Sequence, residues 1–446
     1  MTIGDELWSC EMSRRDSVKL SGLVLGGLAL GSTTALASDL IALAGIPAQG
    51  LGTGVDYWAP YVTKLGQHFA TVNWRQPDAG VGSIQYATLR HFSKHRTFNR
   101  ITRSHVHAQY QHVRLTELEP NASYVYRVTP SGTAGPFGIR AFRTMPGRGQ
   151  FTFIVLCDSQ AGSKYEETKR FKYVADAIAK EKNVLFLLHG GDIARFDDES
   201  KWTEFFQLAD GMLAKFPIFT TIGNHEYHDR ADQSGPPTAA VQYHSAFSVP
   251  LHYSFDCCGI RFISLNTPDP RIANGDDPQT SLALAQSQTP WLRAQLRGHN
   301  SGVFTIQHHP NWGYGRTGVN PNLQPWETLY HTYPIAASFA GHIHNYERIH
   351  VGGIPYLVLG TAGGPCEDID PTKPAPAGYR FGETRKLGYL KVTVNPAKNT
   401  ATARQITVGQ VTGDDDNETP LIYSSPRVDD SFTFRLHAPR RRHRGR

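Results

Sequence analysis

Long apolar runs are nearly absent from this chain, and the one that comes closest, LSGLVLGGLALGSTTALA over residues 20–37, is too short and too rich in glycine to span a bilayer stably. No other stretch reads as transmembrane. Cysteine is scarce too, with five among 446 residues. Cys10 precedes the apolar stretch; Cys157, Cys257, Cys258 and Cys366 follow it. Cys257 and Cys258 are adjacent, a geometry that strains a bridge between them, and Cys157 ends an apolar strand-like run, so structural thiols are expected in preference to a bridge to Cys366. Cys157 has no activating base implied beside it and reads as an inert buried thiol. A charge excess is also missing from the body of the chain. The formal net charge is +6, but Arg440, Arg441, Arg442, Arg444 and Arg446 supply five of those charges. The body is therefore nearly neutral. No nucleic-acid footprint is expected, and the tail over 437–446 reads as a solvated end.

What is present begins with an ordinary composition, 39% hydrophobic and 19% charged, which makes a folded soluble protein the default. The length predicts two or three domains. Ser13, Arg14, Arg15 and Lys19 ahead of the apolar stretch, with Ala35, Leu36 and Ala37 closing it, resemble a twin-arginine export signal over 1–37, although Ser17 stands where such signals usually carry Phe. Export in folded form would remove Cys10 and leave a mature chain without a membrane span. Residues 38–52 read as a linker.

From about residue 53 to 146, short alternating segments such as HFATVNWRQ, GSIQYATLR, AQYQHVRLTEL, SYVYRVTP and IRAFRTM predict a small all-β sandwich. Pro120 and Asn121 form a turn ahead of Tyr124 and Tyr126, and this segment resembles the corner of a fibronectin type III module. No exposed aromatic row argues for carbohydrate binding, so the sandwich is expected to serve as scaffold. MPGRGQ connects it to a second region, 150–436, where apolar strands alternate with helix-like stretches. The latter are KYEETKRFKYVADAIAKEK, SKWTEFFQLADGMLAK and TPWLRAQL, the last with Thr289 as cap and Pro290 at the first helical position.

In this second region metal-binding side chains recur directly after apolar runs: Asp158 after FTFIVLC, Asp192 after NVLFLLHGG, Asn224 and His225 after FPIFTTIG, His308 after VFTIQ, and His342 and His344 after ASFAG. Continuous apolar runs of this kind read as strands buried on both faces. The crevice beyond the carboxyl ends of such strands is where ligands meet in α/β sheets. A lone Asp at a strand end is usually a turn residue; seven such side chains in one order read as a two-metal hydrolytic site.

Asp158 with Gln160, Gly191-Asp192, Gly223-Asn224-His225-Glu226, His308-His309-Pro310 and Gly341-His342-Ile343-His344-Asn345-Tyr346-Glu347-Arg348 match, in order, the motif set of calcineurin-like metallophosphoesterases. With the β-sandwich in front, the chain resembles a purple acid phosphatase. That resemblance implies an α+β fold, a four-layer αββα catalytic sandwich behind the small all-β one. It also implies two divalent or mixed-valence metal ions, with Fe, Mn or Zn expected. Asp158, Asp192 and His344 would hold the first, and Asp192, Asn224, His308 and His342 the second, with Asp192 bridging. A bridging hydroxide would attack phosphorus, and His225, assigned to neither metal, would assist the leaving group. Asp192 and His225 are thus the expected catalytic residues, and Arg195, His225 and His309 are expected on the substrate side. His309 should point away from His308 if the strand continues, which favours a supporting role.

Two departures matter. The Tyr that colours the purple enzymes is replaced by Arg195, and the His that the wider superfamily carries two residues after its first Asp is replaced by Gln160. The protein is therefore not expected to be purple. Arg195 could pair with substrate phosphate or with Asp197, Asp198 or Glu199. His228, Trp312 and Tyr314 are expected near the pocket, and Glu226 and Glu347 to orient neighbours. The expected function is an exported phosphatase acting on a small phosphomonoester. A phosphodiesterase or nucleotide hydrolase, and a non-catalytic binding protein with a degenerate first site, are the alternatives.

Overall fold

The first seven strands of the computed structural model are β1 (Trp58–Thr63), β2 (Ala70–Gly80), β3 (Ser83–Thr88), β4 (Arg100–Arg103), β5 (Ala108–Leu115), β6 (Ser123–Thr129) and β7 (Arg140–Arg143). The structure describes residues 57–437 apart from 133–135, 162–166, 230–237, 270–279, 298–301, 315–318, 370–371, 373 and 413–419. The expected export signal, the linker and the arginine tail lie outside the described residues. β1-β2-β5 form one antiparallel sheet and β4-β3-β6-β7 the other. Val72, Trp74 and Val113 from the first meet Ile84, Tyr126 and Val128 from the second in a shared core. At the turn after Leu118, the Tyr124 hydroxyl accepts a hydrogen bond from the Glu119 N–H at 2.9 Å, tying the corner to the strand that follows it.

The second region adds β8 (Phe151–Leu156), β9 (Phe186–His189), β10 (Ile218–Thr220), β11 (Tyr253–Cys257), β12 (Ile260–Ser264), β13 (Val303–Ile306), β14 (Ala337–Ala340), β15 (Tyr346–Val351), β16 (Ile354–Leu359), β17 (Tyr379–Glu383), β18 (Lys386–Asn395), β19 (Thr400–Gln410) and β20 (Leu421–Arg435). They form a six-stranded sheet ordered β10-β9-β8-β18-β19-β20 and a seven-stranded sheet ordered β11-β12-β13-β14-β16-β15-β17. β8, β9 and β10 run parallel to one another, as do β12, β13, β14 and β16.

The period-2 geometry of a strand sends alternate side chains to opposite faces, and here both faces are apolar. Phe153 and Val155 of β8 point at the facing sheet, where Phe153 meets Phe262, Phe304 and Phe339 edge-on at 5.2–6.0 Å. Ile154 and Leu156 point the other way, against Phe171, Val174 and Phe205 of the helices Glu167–Lys180 and Glu199–Leu208. The second sheet is covered by the helices Leu282–Leu296 and Gln324–Thr332, through Leu292, Trp326 and Tyr330. The result is the expected helix–sheet–sheet–helix order. Cys157, Cys257 and Cys258 are buried and unbridged, and Cys366 is half-buried.

Two helix expectations are corrected. The helix expected to start at Pro290 begins at Leu282, where the Ser281 hydroxyl accepts from the Leu284 N–H; Pro290 is interior. LALAQSQ ahead of the proline consists of strong helix formers with one serine, and their propensity outweighs the lost backbone donor. The stretch SKWTEFFQLADGMLAK is broken at Ala209 into Glu199–Leu208 and Asp210–Leu213.

The sandwich is docked on the second region. Trp58 stacks on Phe206 at 4.5 Å between ring centroids and donates to Thr203 Oγ1 at 2.9 Å. The Tyr61 hydroxyl donates to the Ala246 carbonyl at 2.6 Å. Arg75 and Arg140 pair with Glu199 and Asp210 across the junction.

Candidate metal centre

Each sequence-predicted ligand lies just past a strand of the two facing sheets: Asp158 after β8, Asp192 after β9, Asn224 after β10, His308 after β13, and His342 and His344 after β14. All six are buried. Asp158, Asp192 and His342 have φ of 60°, 52° and 69°, the left-handed region that side chains with a Cβ avoid. A conformation of this kind costs about 1–3 kcal/mol and persists only where its surroundings over-determine it.

Those surroundings are visible. The buried Glu226 carboxylate accepts from the N–H groups of Gly223, Asp192, Ile193 and Ala194 at 2.7–3.3 Å, clamping the loop that presents Asp192. Burial and the neighbouring Asp192 charge push the Glu226 carboxyl up to about 8, opposed by the Gly223 and Ile193 donors. The Asp158 loop is tied to the Asp192 loop by a bridge between Ala161 and Ala194, and by Ser159, whose hydroxyl donates to the Ile193 carbonyl at 2.7 Å and accepts from His189 Nε2 at 2.9 Å. His342 N–H donates to both Asp158 oxygens at 3.0 Å. Two motif glycines are required by close approach. A Cβ at Gly223 would lie 2.1 Å from Asp192 Oδ1, and one at Gly341 would lie 2.2 Å from Asp158 Oδ2.

Around this frame the donor atoms converge. One oxygen or nitrogen each from Asp158, Asp192 and His308 lies within 4.8 Å of the others. His308 Nε2 is 3.2 Å from Asp192 Oδ1 and 2.9 Å from Asn224 Oδ1, and His342 Nδ1 is 3.2 Å from the same amide oxygen. His344 Nε2 is 3.3 Å from Asp158 Oδ1. Second nitrogens aim the rings: His308 Nδ1 bonds the Gly190 carbonyl at 2.9 Å and His344 Nδ1 the Pro365 carbonyl at 2.5 Å. A metal-ligating imidazole is typically oriented in this way. Burial disfavours charge on His308, but Asp192 outweighs it and pushes the ring up to about 9. Burial would raise Asp192, yet His308 and His225 hold it well below the usual carboxylate range. A carboxylate whose two oxygens face separate imidazole and amide clusters suits two cations sharing one ligand.

His225 lies beside this cluster and not in it. Its backbone N–H donates to Asp192 Oδ1 at 3.0 Å, its Nδ1 meets the Arg195 carbonyl at 2.9 Å, and its Nε2 is 3.7 Å from Asp192 Oδ2. Burial lowers the ring to about 4, partly offset by Asp192.

Arg195 reaches Gln160 Oε1. The acids expected as its surface partners are engaged elsewhere: Asp197 accepts from Val241 N, Gln242 N and Thr238 Oγ1, Asp198 caps the helix at Ser200, and Glu199 pairs with Arg75. His309 departs from expectation. β13 ends at Ile306, so strand alternation no longer applies at residue 309, and its ring packs 4.1 Å from that of His342. It is 0% exposed and held by Thr267 at 3.1 Å, packed against a predicted ligand. His228 is buried within electrostatic reach of Asp192. Trp312 packs on Tyr356 and Tyr314 on Tyr379, while the Glu347 carboxylate accepts from the Tyr314 N–H at 2.5 Å. The Ser159–His189 pair was not anticipated from sequence; His189 lies within HGGD, hidden as an apolar-run residue.

Residues 151–346 match the family of calcineurin-like phosphoesterases. Among curated proteins, an uncharacterised protein of Mycobacterium tuberculosis is 26% identical over 308 residues, 61% of this chain and 56% of that one. Purple acid phosphatase 21 of Arabidopsis thaliana is 27% identical over 254 residues, 53% and 52% of the two chains. The chain thus spans little more than half the length of these relatives. In fold, it superposes on a purple acid phosphatase from yellow lupin (Lupinus luteus) seeds with a TM-score of 0.63 at 15% identity, over 85% of this chain and 74% of that one. It superposes on PhoD with a TM-score of 0.66 at 14% identity, over 87% and 92%. With the ligand order, the paired sheets and the family match in agreement, the chain carries a calcineurin-like metallophosphoesterase domain.

Proposed function

We propose that this protein is an exported, dinuclear-metal phosphatase that hydrolyses small phosphomonoesters. The carrying observation is the position of Asp192, whose carboxylate lies between the Asn224–His308–His342 cluster and the Asp158–Gln160–His344 side. Divalent cations held there would supply Lewis acidity toward phosphate oxygens and acidify water. Asp158, Asp192 and His344 would hold one, and Asp192, Asn224, His308 and His342 the other. Relatives named purple acid phosphatase in soybean and phosphoenolpyruvate phosphatase in onion support a monoester substrate.

The chain's own residues do the rest of the work. His225, aimed by the Arg195 carbonyl, presents Nε2 beside the carboxylate; an anionic ester bound next to it would raise the ring from about 4 and let Nε2 carry a proton to the departing ester oxygen. Glu226 keeps the Asp192 loop in its strained conformation. No helix among the described residues is long and apolar enough to cross a membrane. Export by the twin-arginine route rests on the Arg14-Arg15 segment alone. The test is elemental analysis of purified protein together with turnover of an aryl monoester, an aryl diester and a nucleotide. Two cations per chain with monoester turnover support the reading. Faster diester or nucleotide turnover replaces the substrate class, and failure to hydrolyse any phosphoester after remetallation ends it. Loss of the twin arginines should hold the protein in the cytoplasm on fractionation.

A further inference from the structure

The two halves of the centre are not equivalent, and the difference comes from one amide. On the side of Asp192 Oδ1, His308 Nε2 and His342 Nδ1 lie 2.9 and 3.2 Å from the Asn224 amide oxygen. On the side of Asp192 Oδ2, Gln160 Nε2 stands 3.2 Å from that oxygen and 3.2 Å from His344 Nε2. The orientation of the Gln160 amide is fixed by its other end. Arg195 Nη1, which can only donate, meets Oε1. Turning the amide over would set two donors against each other, so the NH2 end faces Asp192 and His344.

An amide NH2 has no lone pair to offer a cation. It instead occupies the lone pair of His344 Nε2 and one of Asp192 Oδ2 that a cation on this side would use. Gln160 is fully buried at φ 39°, and Arg195 is anchored next to the site because its own carbonyl holds His225 Nδ1. The Gln160 amide is therefore built in, and the Arg195 backbone is fixed beside it.

We infer that the Arg195–Gln160 pair is an internal competitor for one half of the centre. The half made by Asn224, His308, His342 and Asp192 Oδ1 holds its cation firmly. The half made by Asp158, His344 and Asp192 Oδ2 loads reversibly, by displacing the Gln160 amide. The asymmetry of binding follows from the geometry; its consequence, that turnover follows the free concentration of divalent cation, rests on the phosphatase reading above.

The test titrates metal-free protein with Mn2+ by calorimetry and follows the bound ion by electron paramagnetic resonance. Wild type is expected to keep one equivalent through gel filtration and to take the second only from excess Mn2+, with spin coupling appearing at that stage. Gln160→Ala removes two hydrogen bonds from the competitor and is expected to tighten the second equivalent about tenfold. Arg195→Met frees the amide to turn its oxygen inward and is expected to act in the same direction. Thermal melts show whether each variant is folded, and Arg195→Met decides if Gln160→Ala is not. Two equivalents retained equally by wild type, or second-equivalent affinity unchanged in the folded variants, would overturn the inference while leaving phosphatase activity intact. Wild type that binds no cation at all would overturn both readings.

Discussion

Replacing Glu226 with Ala should damage this protein more through its backbone than through its charge. The Glu226 carboxylate, 0% exposed, accepts from four backbone N–H groups, those of Gly223, Asp192, Ile193 and Ala194, at 2.7, 3.0, 2.8 and 3.3 Å. A buried donor left without a partner costs about 1–3 kcal/mol. The three short bonds then set a gross loss of roughly 3–9 kcal/mol by that range. Removing a buried carboxylate recovers part of its own desolvation cost, and water entering the vacated space recovers more, so the lower end, about 3–4 kcal/mol, is expected. Glu226→Gln keeps one acceptor oxygen and sets an NH2 against two backbone donors, so it should be little better than Ala. Urea unfolding of metal-free protein followed by circular dichroism measures the loss. The same variants should retain less metal, because Asp192 at φ 52° depends on this clamp. A midpoint within the error of wild type for both variants would refute the claim that the clamp holds the loop.

His225→Ala should leave metal content unchanged and slow monoester turnover by about a hundredfold to ten-thousandfold; loss of metal on elemental analysis would reassign it as a ligand. Trp58→Ala removes a ring buried against Phe206 and the bond to Thr203. It should cost about 3–5 kcal/mol and expose the connector at 147–150 to protease, with metal content preserved; an unaltered proteolysis pattern would separate docking from this ring. Burial, with Asp429 beside it, pushes Glu383 up to about 7 from an ordinary 4.5. The folded state therefore holds a proton that the unfolded state releases, and stability should fall as pH rises from about 4.5 through about 7. Glu383→Gln should flatten that limb in a melting-temperature series, and an identical slope would assign the dependence to another group.

The ligands were legible in sequence because each is written as a polar residue just past an apolar run, which is where the strand ends and the crevice of the sheet begins. His308 and His342 could be placed on this basis, and the apolar runs foretold strands buried on both faces, as Phe151–Leu156 is; the pairing of two sheets came from the family resemblance. What sequence could not supply is contact between residues whose role is set only in three dimensions. His309 looked like an outward-facing neighbour because strand alternation was extended past Ile306, where the strand stops. Pro290 looked like a helix start because proline is favoured there, yet Ser281 caps a longer helix in which it is interior. Ser159 and His189 carry no spacing signal, because a bond between two loops is invisible to periodicity. Arg195 and Gln160 are the instructive case. Each stood out as a departure from the family pattern, one a lost tyrosine and the other a lost histidine, and read singly each left a gap. Side by side they form one unit, in which the guanidinium fixes the amide and the amide meets the carboxylate and the imidazole. Two substitutions that weaken a metal site separately therefore have a single physical meaning, and that meaning lies in which end of an amide faces Asp192.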